Sequence, residues 1–130
     1  MNDLVAKIAD SETEILRVLW NAKTEIPYAD IRKKLEQTSK WENSTIKTLL
    51  RRLCEKGVVH AIKKEVYYYR SLVSEEEYNE YNTQHLIDRL YAGSTKNLVA
   101  SLLDSNKLSE EDIKELRSLL NTGDKNEQNN

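Results

Sequence analysis

Residues 41–70 read WENSTIKTLLRRLCEKGVVHAIKKEVYYYR, and two patterns lie back to back within them. In the first, Ile46, Leu49, Leu50 and Leu53 recur at i, i+3, i+4 and i+7, the spacing of one apolar face of an α-helix. Ser44, Lys47, Thr48, Arg51 and Glu55 fall on the opposite side, with Thr45 and Arg52 flanking. In the second, residues 58–73 are rich in β-branched and aromatic side chains, which predicts a hairpin with strands at 58–62 and 66–71 and Lys63-Lys64-Glu65 at its tip. Gly57 separates the two patterns, where a helix commonly ends in a left-handed residue. A helix held by one apolar face and offering hydroxyls and cations on the other suits the major groove of duplex DNA. With a hairpin behind it, the pattern predicts a winged helix-turn-helix.

Upstream, the apolar spacing predicts a helix over 11–22, burying Ile15, Leu16, Val18 and Leu19, and another over 27–37 with Tyr28, Ile31 and Leu35 on one face. A short extended link at 24–26 joins them. Downstream, helices are predicted over 74–91, 94–104 and 109–121. Ser11 with Glu14 and Ser74 with Glu77 fit the capping box, in which a hydroxyl and a carboxylate satisfy free amides reciprocally. Ser109 before Glu110, Glu111 and Asp112 places acids in a first turn, where the helix dipole favours them. The tail from Thr122 is rich in Asn, Glu and Lys and is expected to be disordered. The expected fold class is mostly α (an α+β winged helix). It comprises a winged helix-turn-helix domain at 1–73, a three-helix dimerisation module at 74–121 and a tail at 122–130.

Charge divides along the chain. The whole carries a net charge of −2, yet residues 1–71 hold 14 Lys and Arg against 10 Asp and Glu, and residues 72–130 hold 6 against 12. Within 32–70 the balance is 11 basic to 4 acidic. A basic front and an acidic back suggest a part that faces nucleic acid and a separate second part. The N-terminal half of a recognition helix enters the groove, so Ser44, Thr45, Lys47 and Thr48 are expected nearest base edges. Arg51 and Arg52 lie further along and are expected to meet phosphate. Lys63 and Lys64 at the wing tip are expected on the DNA backbone or minor groove. Tyr67 and Tyr69 share one strand face and Tyr68 takes the other, a pattern of wing packing rather than of three bases stacked in a row. Trp20 and Trp41 are read as packing between helices.

Twelve apolar residues stripe the second half, too many for so small a module to bury within itself. Two copies packed about a two-fold axis would cover them. On the helix over 74–91 the expected interface residues are Leu86 and Leu90. On the next helix they are Leu98, Val99, Leu102 and Leu103, and on the last Ile113, Leu116 and Leu120.

Other classes find little support. There is no Gly-rich phosphate loop, nucleophile motif or His/Cys cluster, so no enzyme, cofactor or metal is expected. His60 and His85 lack ligand partners at metal spacing. The single cysteine, Cys54, cannot form a disulfide within the chain and fits a reducing compartment. No apolar run approaches the length of a membrane span, and the first residues lack the core of a signal peptide, so a cytoplasmic protein is expected. The rival reading is a winged-helix protein-interaction module without DNA affinity. A third keeps DNA binding and adds a small-molecule inducer, for which only the apolar space between helices offers room.

Taken together, the residues resemble the penicillinase/methicillin-resistance repressor family of winged-helix regulators, which also includes copper-responsive repressors. The resemblance spans about residues 8–121. It rests on Ser11-Glu12-Thr13-Glu14 with Val18-Leu19-Trp20, on Trp41, and on the run from Thr45 to Leu53 with Lys56-Gly57. It continues through Tyr69-Arg70-Ser71-Leu72-Val73, Leu90-Tyr91-Ala92-Gly93-Ser94 with Leu98-Val99, and Leu108-Ser109-Glu110-Glu111-Asp112-Ile113. It implies a dimeric repressor on a pseudo-palindromic operator with TACA/TGTA-type half-sites. In the β-lactam branch it also implies a membrane sensor protease that triggers cleavage in the helical module, at an Asn-Phe bond. The matching bond here joins Ser101 to Leu102, and the chain contains no Phe. Asn43-Ser44 stands where relatives often carry Pro-Lys. The copper branch releases through a cysteine cluster, and one thiol cannot form a soft-metal site of that kind.

Overall fold

The computed structural model describes residues 3–128, with side chains described through Thr122. The chain forms two compact units, residues 1–83 and 84–130.

The first unit opens with a short helix α1 (Asp3–Ala6) and a 3-10 turn (Asp10–Glu12), neither of which the periodicity signalled. Helix α2 (Thr13–Ala22), strand β1 (Ile26–Pro27), α3 (Tyr28–Thr38) and α4 (Asn43–Glu55) follow. The wing is β2 (Val59–Lys63) and β3 (Tyr67–Ser71). The extended link before α3 is thus a strand. It pairs Ile26 with Tyr69 and Pro27 with Tyr68, giving an antiparallel sheet of order β1-β3-β2. On the other edge of β3, Ala61 pairs with Tyr69 and Ile62 with Tyr68. This is a mostly helical winged helix-turn-helix.

One core holds it together. Ile15 and Leu16 of α2, Ile31 and Leu35 of α3, and Ile46 and Leu53 of α4 are all buried, with Val58 and Val73 buried where the chain enters and leaves the base of the wing. Each is a fully buried aliphatic side chain, contributing about 1.5–3 kcal/mol. Gly57 ends α4 at φ +82°, a conformation that needs no Cβ, and its N–H donates to the Cys54 carbonyl at 3.1 Å.

Two expectations are corrected. The start of α2 is not capped by Ser11 and Glu14. Instead Glu12 Oε1 accepts the Ala9 N–H at 2.8 Å, because the 3-10 turn moves the chain's entry upstream of the expected cap. The compact unit also extends past residue 73. Tyr78 and Tyr81, at i and i+3 near the start of α5 (Glu75–Tyr91), pack against the core. Tyr78 shares a 2.7 Å hydrogen bond with Thr13 Oγ1 and lies 5.3 Å, centroid to centroid, from the Trp20 ring.

In the second unit, the remainder of α5 leads through Ala92 (φ +50°) and Gly93 (φ +85°) into α6 (Thr95–Asp104). Ser94 caps α6 by accepting the Asn97 N–H at 3.1 Å. Helix α7 (Glu110–Gln128) is capped reciprocally by Ser109 and Asp112, at 3.0 and 3.2 Å. The helix runs to Gln128, and side chains beyond Thr122, where the tail expectation falls, lie outside the described residues. One interior glycine costs a helix only about 1 kcal/mol, so Gly123 does not stop it; Asn129 and Asn130 lie outside the described residues. No helix among the described residues is long and apolar enough to cross a membrane.

Candidate nucleic-acid interface

Helix α4 is pinned by its apolar stripe. Ile46, Leu49, Leu50 and Leu53 are buried, and the rotation this imposes leaves Ser44, Thr45, Lys47, Arg51 and Arg52 exposed. Thr48 is half-buried, so its hydroxyl sits at the margin of that face rather than at its crest. Arg51 lies 3.8 Å from Glu55 one turn on, both two-thirds exposed, and such a pair holds a guanidinium only weakly. Lys47 has no carboxylate partner among the described residues; its ammonium lies 5.6 Å above the Tyr28 ring.

The start of α4 is fixed from α3. The Tyr28 hydroxyl donates to the Asn43 side-chain oxygen and, at 3.3 Å, to the Asn43 carbonyl. Burial raises the Tyr28 pKa, partly offset by the charge of Arg32, so the phenol remains a donor at neutral pH. The far end is fixed from the turn before α2. Lys56 Nζ donates to Glu12 Oε1 at 2.6 Å, and Glu12 is 1% exposed. Its Oε2 has no hydrogen-bond partner among the described atoms.

At the wing, Lys63 and Lys64 are exposed. Lys63 ends β2 instead of standing in the turn. Lys64 forms an ion pair with Glu25 in the loop before β1, and the hydrogen bond to that carboxylate raises the ammonium's pKa. Lys64 also lies 4.9 Å over the Tyr68 ring, and Lys63 lies 5.7 Å over Tyr67. The structure therefore groups six of the eight predicted DNA-contact residues along α4 and two at the hairpin end.

Between α4 and the wing sheet runs a cleft of about 460 Å³. Leu50 and Cys54 line it from α4, Ala61 from β2, and Tyr67 and Tyr69 from β3. Tyr28, Lys47 and Arg51 complete its lining. The two tyrosines of β3 stand with centroids 6.5 Å apart on one strand face, as strand alternation requires. Sequence reasoning missed this cleft, and it missed Glu25, Glu12 and the tether role of Tyr28. The sequence marks Tyr28 only as a core position at helical spacing. Glu25 and Glu12 meet their lysines across 39 and 44 residues, and no local pattern reports such pairings.

In the second unit, Ile87 is buried and Leu98, Leu102 and Ile113 are half-buried. The other predicted interface residues are exposed: Leu86, Leu90, Val99, Leu103, Leu116 and Leu120, the last at 71%. The Ser101–Leu102 bond lies inside α6, with Ser101 Oγ accepting from the Tyr91 hydroxyl at 3.1 Å.

Known proteins are similar to this chain in sequence and in fold. The family model of the penicillinase repressor matches residues 8–122. A penicillinase repressor of Bacillus licheniformis is 32% identical over 117 residues, covering 89% of this chain and 91% of its own length. The methicillin resistance regulatory protein MecI of Staphylococcus aureus (strain N315) is 30% identical over 125 residues, covering 93% and 98%. The solution structure of the DNA-binding domain of the repressor BlaI superposes with a TM-score of 0.52 at 33% identity, covering 60% of this chain and 94% of that one. With the match spanning both units, the chain belongs to the penicillinase repressor family.

Proposed function

We propose that the protein is a homodimeric transcriptional repressor that binds a pseudo-palindromic operator through α4 and the wing. The observation that carries this reading is the division of α4. Its buried stripe fixes the helix so that Ser44, Thr45, Lys47, Arg51 and Arg52 stand on one solvent face, in a chain with relatives named as repressors. Residues near the start of α4 read base edges. Arg51, Arg52, Lys63 and Lys64 hold phosphates, which position the protein without reading sequence.

The exposed leucines of α5, α6 and α7 support dimerisation, because a lone protomer leaves them in water. Pairing makes two weak half-site contacts into one bivalent contact, a gain of about 10²–10⁴. An event that splits the dimer then releases DNA without touching α4. If a sensor-linked protease supplies that event at Ser101–Leu102, α6 must first unwind, since a helical bond cannot enter a protease cleft. The regulated genes, by the relatives' names, are antibiotic-resistance determinants, and the repressor acts in the cytoplasm. Selection of bound fragments from the source genome tests the reading: recovery of a two-fold motif supports it, and recovery of no enriched sequence refutes it.

A further inference from the structure

The cleft between α4 and the wing has the size and lining of a ligand site. Its volume of about 460 Å³ falls within the roughly 300–1,000 Å³ of small-molecule pockets. Its lining is aromatic and aliphatic, from Tyr67, Tyr69, Leu50 and Ala61. Burial pushes both the Cys54 thiol and the Tyr69 phenol up, so neither carries charge at neutral pH. The charged side chains that line it are Lys47 and Arg51, both cations. Lys47 has no carboxylate partner among the described residues, and Arg51 has only an exposed one at 3.8 Å. A cationic occupant would meet two like charges, and a neutral one would leave both unused. An occupant with a flat apolar body and one carboxylate uses every part of the lining, since a guanidinium forks onto a carboxylate with two parallel hydrogen bonds.

We propose that this cleft binds a small planar aromatic carboxylate, with its ring among the tyrosines and its carboxylate on Arg51 and Lys47, and that the bound acid competes with operator DNA. The competition rests on the repressor reading; the binding does not. Arg51 and Lys47 cannot serve a carboxylate and a duplex at once, so acid and DNA each lower the other's affinity by the same factor.

Cys54 is the single cysteine in the chain, so its alkylation reports on the cleft alone. The full-length protein is treated with iodoacetamide while 2-naphthoate, or neutral 2-naphthamide, is titrated. Naphthoate at about ten times its Kd slows alkylation about tenfold, and the amide gives no saturable protection. Naphthoate shifts the NMR signals of the Ala61 methyl and the Tyr69 ring, and it displaces duplex DNA. Ala61→Leu fills the cleft from β2, abolishing protection while DNA binding persists. Should that variant not fold, the NMR shifts of the unaltered protein decide. Absence of both protection and shifts overturns the site, and equal protection by the amide overturns its carboxylate preference. Protection without displacement overturns the competition. A protein that is protected yet binds no duplex at any salt concentration leaves the site standing and removes the repressor reading instead.

Discussion

The Tyr28 hydroxyl on α3 is bonded to both the side chain and the backbone carbonyl of Asn43, the first residue of α4. The link runs from a helix held in the core to the end of α4 that is proposed to enter the groove, so it sets where Ser44, Thr45 and Lys47 begin. Removing the hydroxyl in Tyr28→Phe is expected to weaken operator binding by about 1 kcal/mol, close to fivefold, the usual net worth of such a bond. Circular dichroism should remain unchanged. A double-mutant cycle with Asn43→Ala checks the mechanism: the two losses should fall short of additivity, and strictly additive losses would place the effect elsewhere.

Lys56 and Glu12 act on stability. Glu12 is almost wholly buried, and Lys56 is its cationic partner. Lys56→Met leaves a carboxylate without compensation and is expected to cost about 3 kcal/mol in urea unfolding. Glu12→Gln with Lys56→Met should recover much of that loss, because the stranded charge is gone. A double variant as unstable as the single one would count against the pairing.

Glu25 is expected to restrain the wing. It pairs with Lys64 and competes with phosphate for that ammonium, so Glu25→Gln should strengthen the phosphate contact of Lys64 and steepen the salt dependence of DNA binding by at most about 0.9 log units per log salt. Lys64→Ala should leave the slope equal or shallower. The raised pKa gives the pH sense: the pair's contribution is full below the ordinary lysine range and is lost only as pH rises through the higher folded value. Wing binding should therefore not titrate between neutral and mildly alkaline pH.

Cys54 gives a second pH test. Burial raises its pKa, with Glu55 adding to the rise, so the folded protein retains the thiol proton longer than the unfolded chain does. Stability should accordingly fall, not rise, as pH climbs from the ordinary thiol range through the folded value. Cys54→Ser should flatten that part of the stability profile. An alkylation midpoint at or below that of a free thiol would contradict the assignment.

The helices were legible from the sequence to the extent that their own residues carried the signal. The i, i+3, i+4, i+7 stripe of α4 fixed both its existence and its buried face, and Ser74 with Glu77 marked the start of α5 through hydrogen bonds that the structure forms at 3.0–3.4 Å. β1 is too short for any periodicity and is a strand only because β3 supplies its partner. Ser11 looked like a cap, but the distant Lys56 and the local 3-10 turn favour Glu12 instead. For the same reason the cleft stayed hidden. Its lining comes from α3, α4 and both wing strands, and no single segment reveals it.

Dimerisation through the second unit yields a sharp mutational outcome. Leu90 and Leu120 are 58% and 71% exposed, so Leu90→Asp with Leu120→Asp should leave the protomer folded. Sedimentation should show monomers, and operator affinity should drop by about 10²–10⁴ as bivalency is lost. Persistence of the dimer would move the interface elsewhere.

The most direct measurement is a salt titration of full-length protein on a duplex carrying two half-sites, alongside Lys47→Ala with Thr48→Ala. Affinity should fall steeply with salt, by about 0.9 log units per log salt for each phosphate held, and the double variant should lose its preference for that duplex while remaining dimeric. Binding that is flat in salt, or equally selective without Lys47 and Thr48, would contradict the assignment of α4 as the reader of DNA.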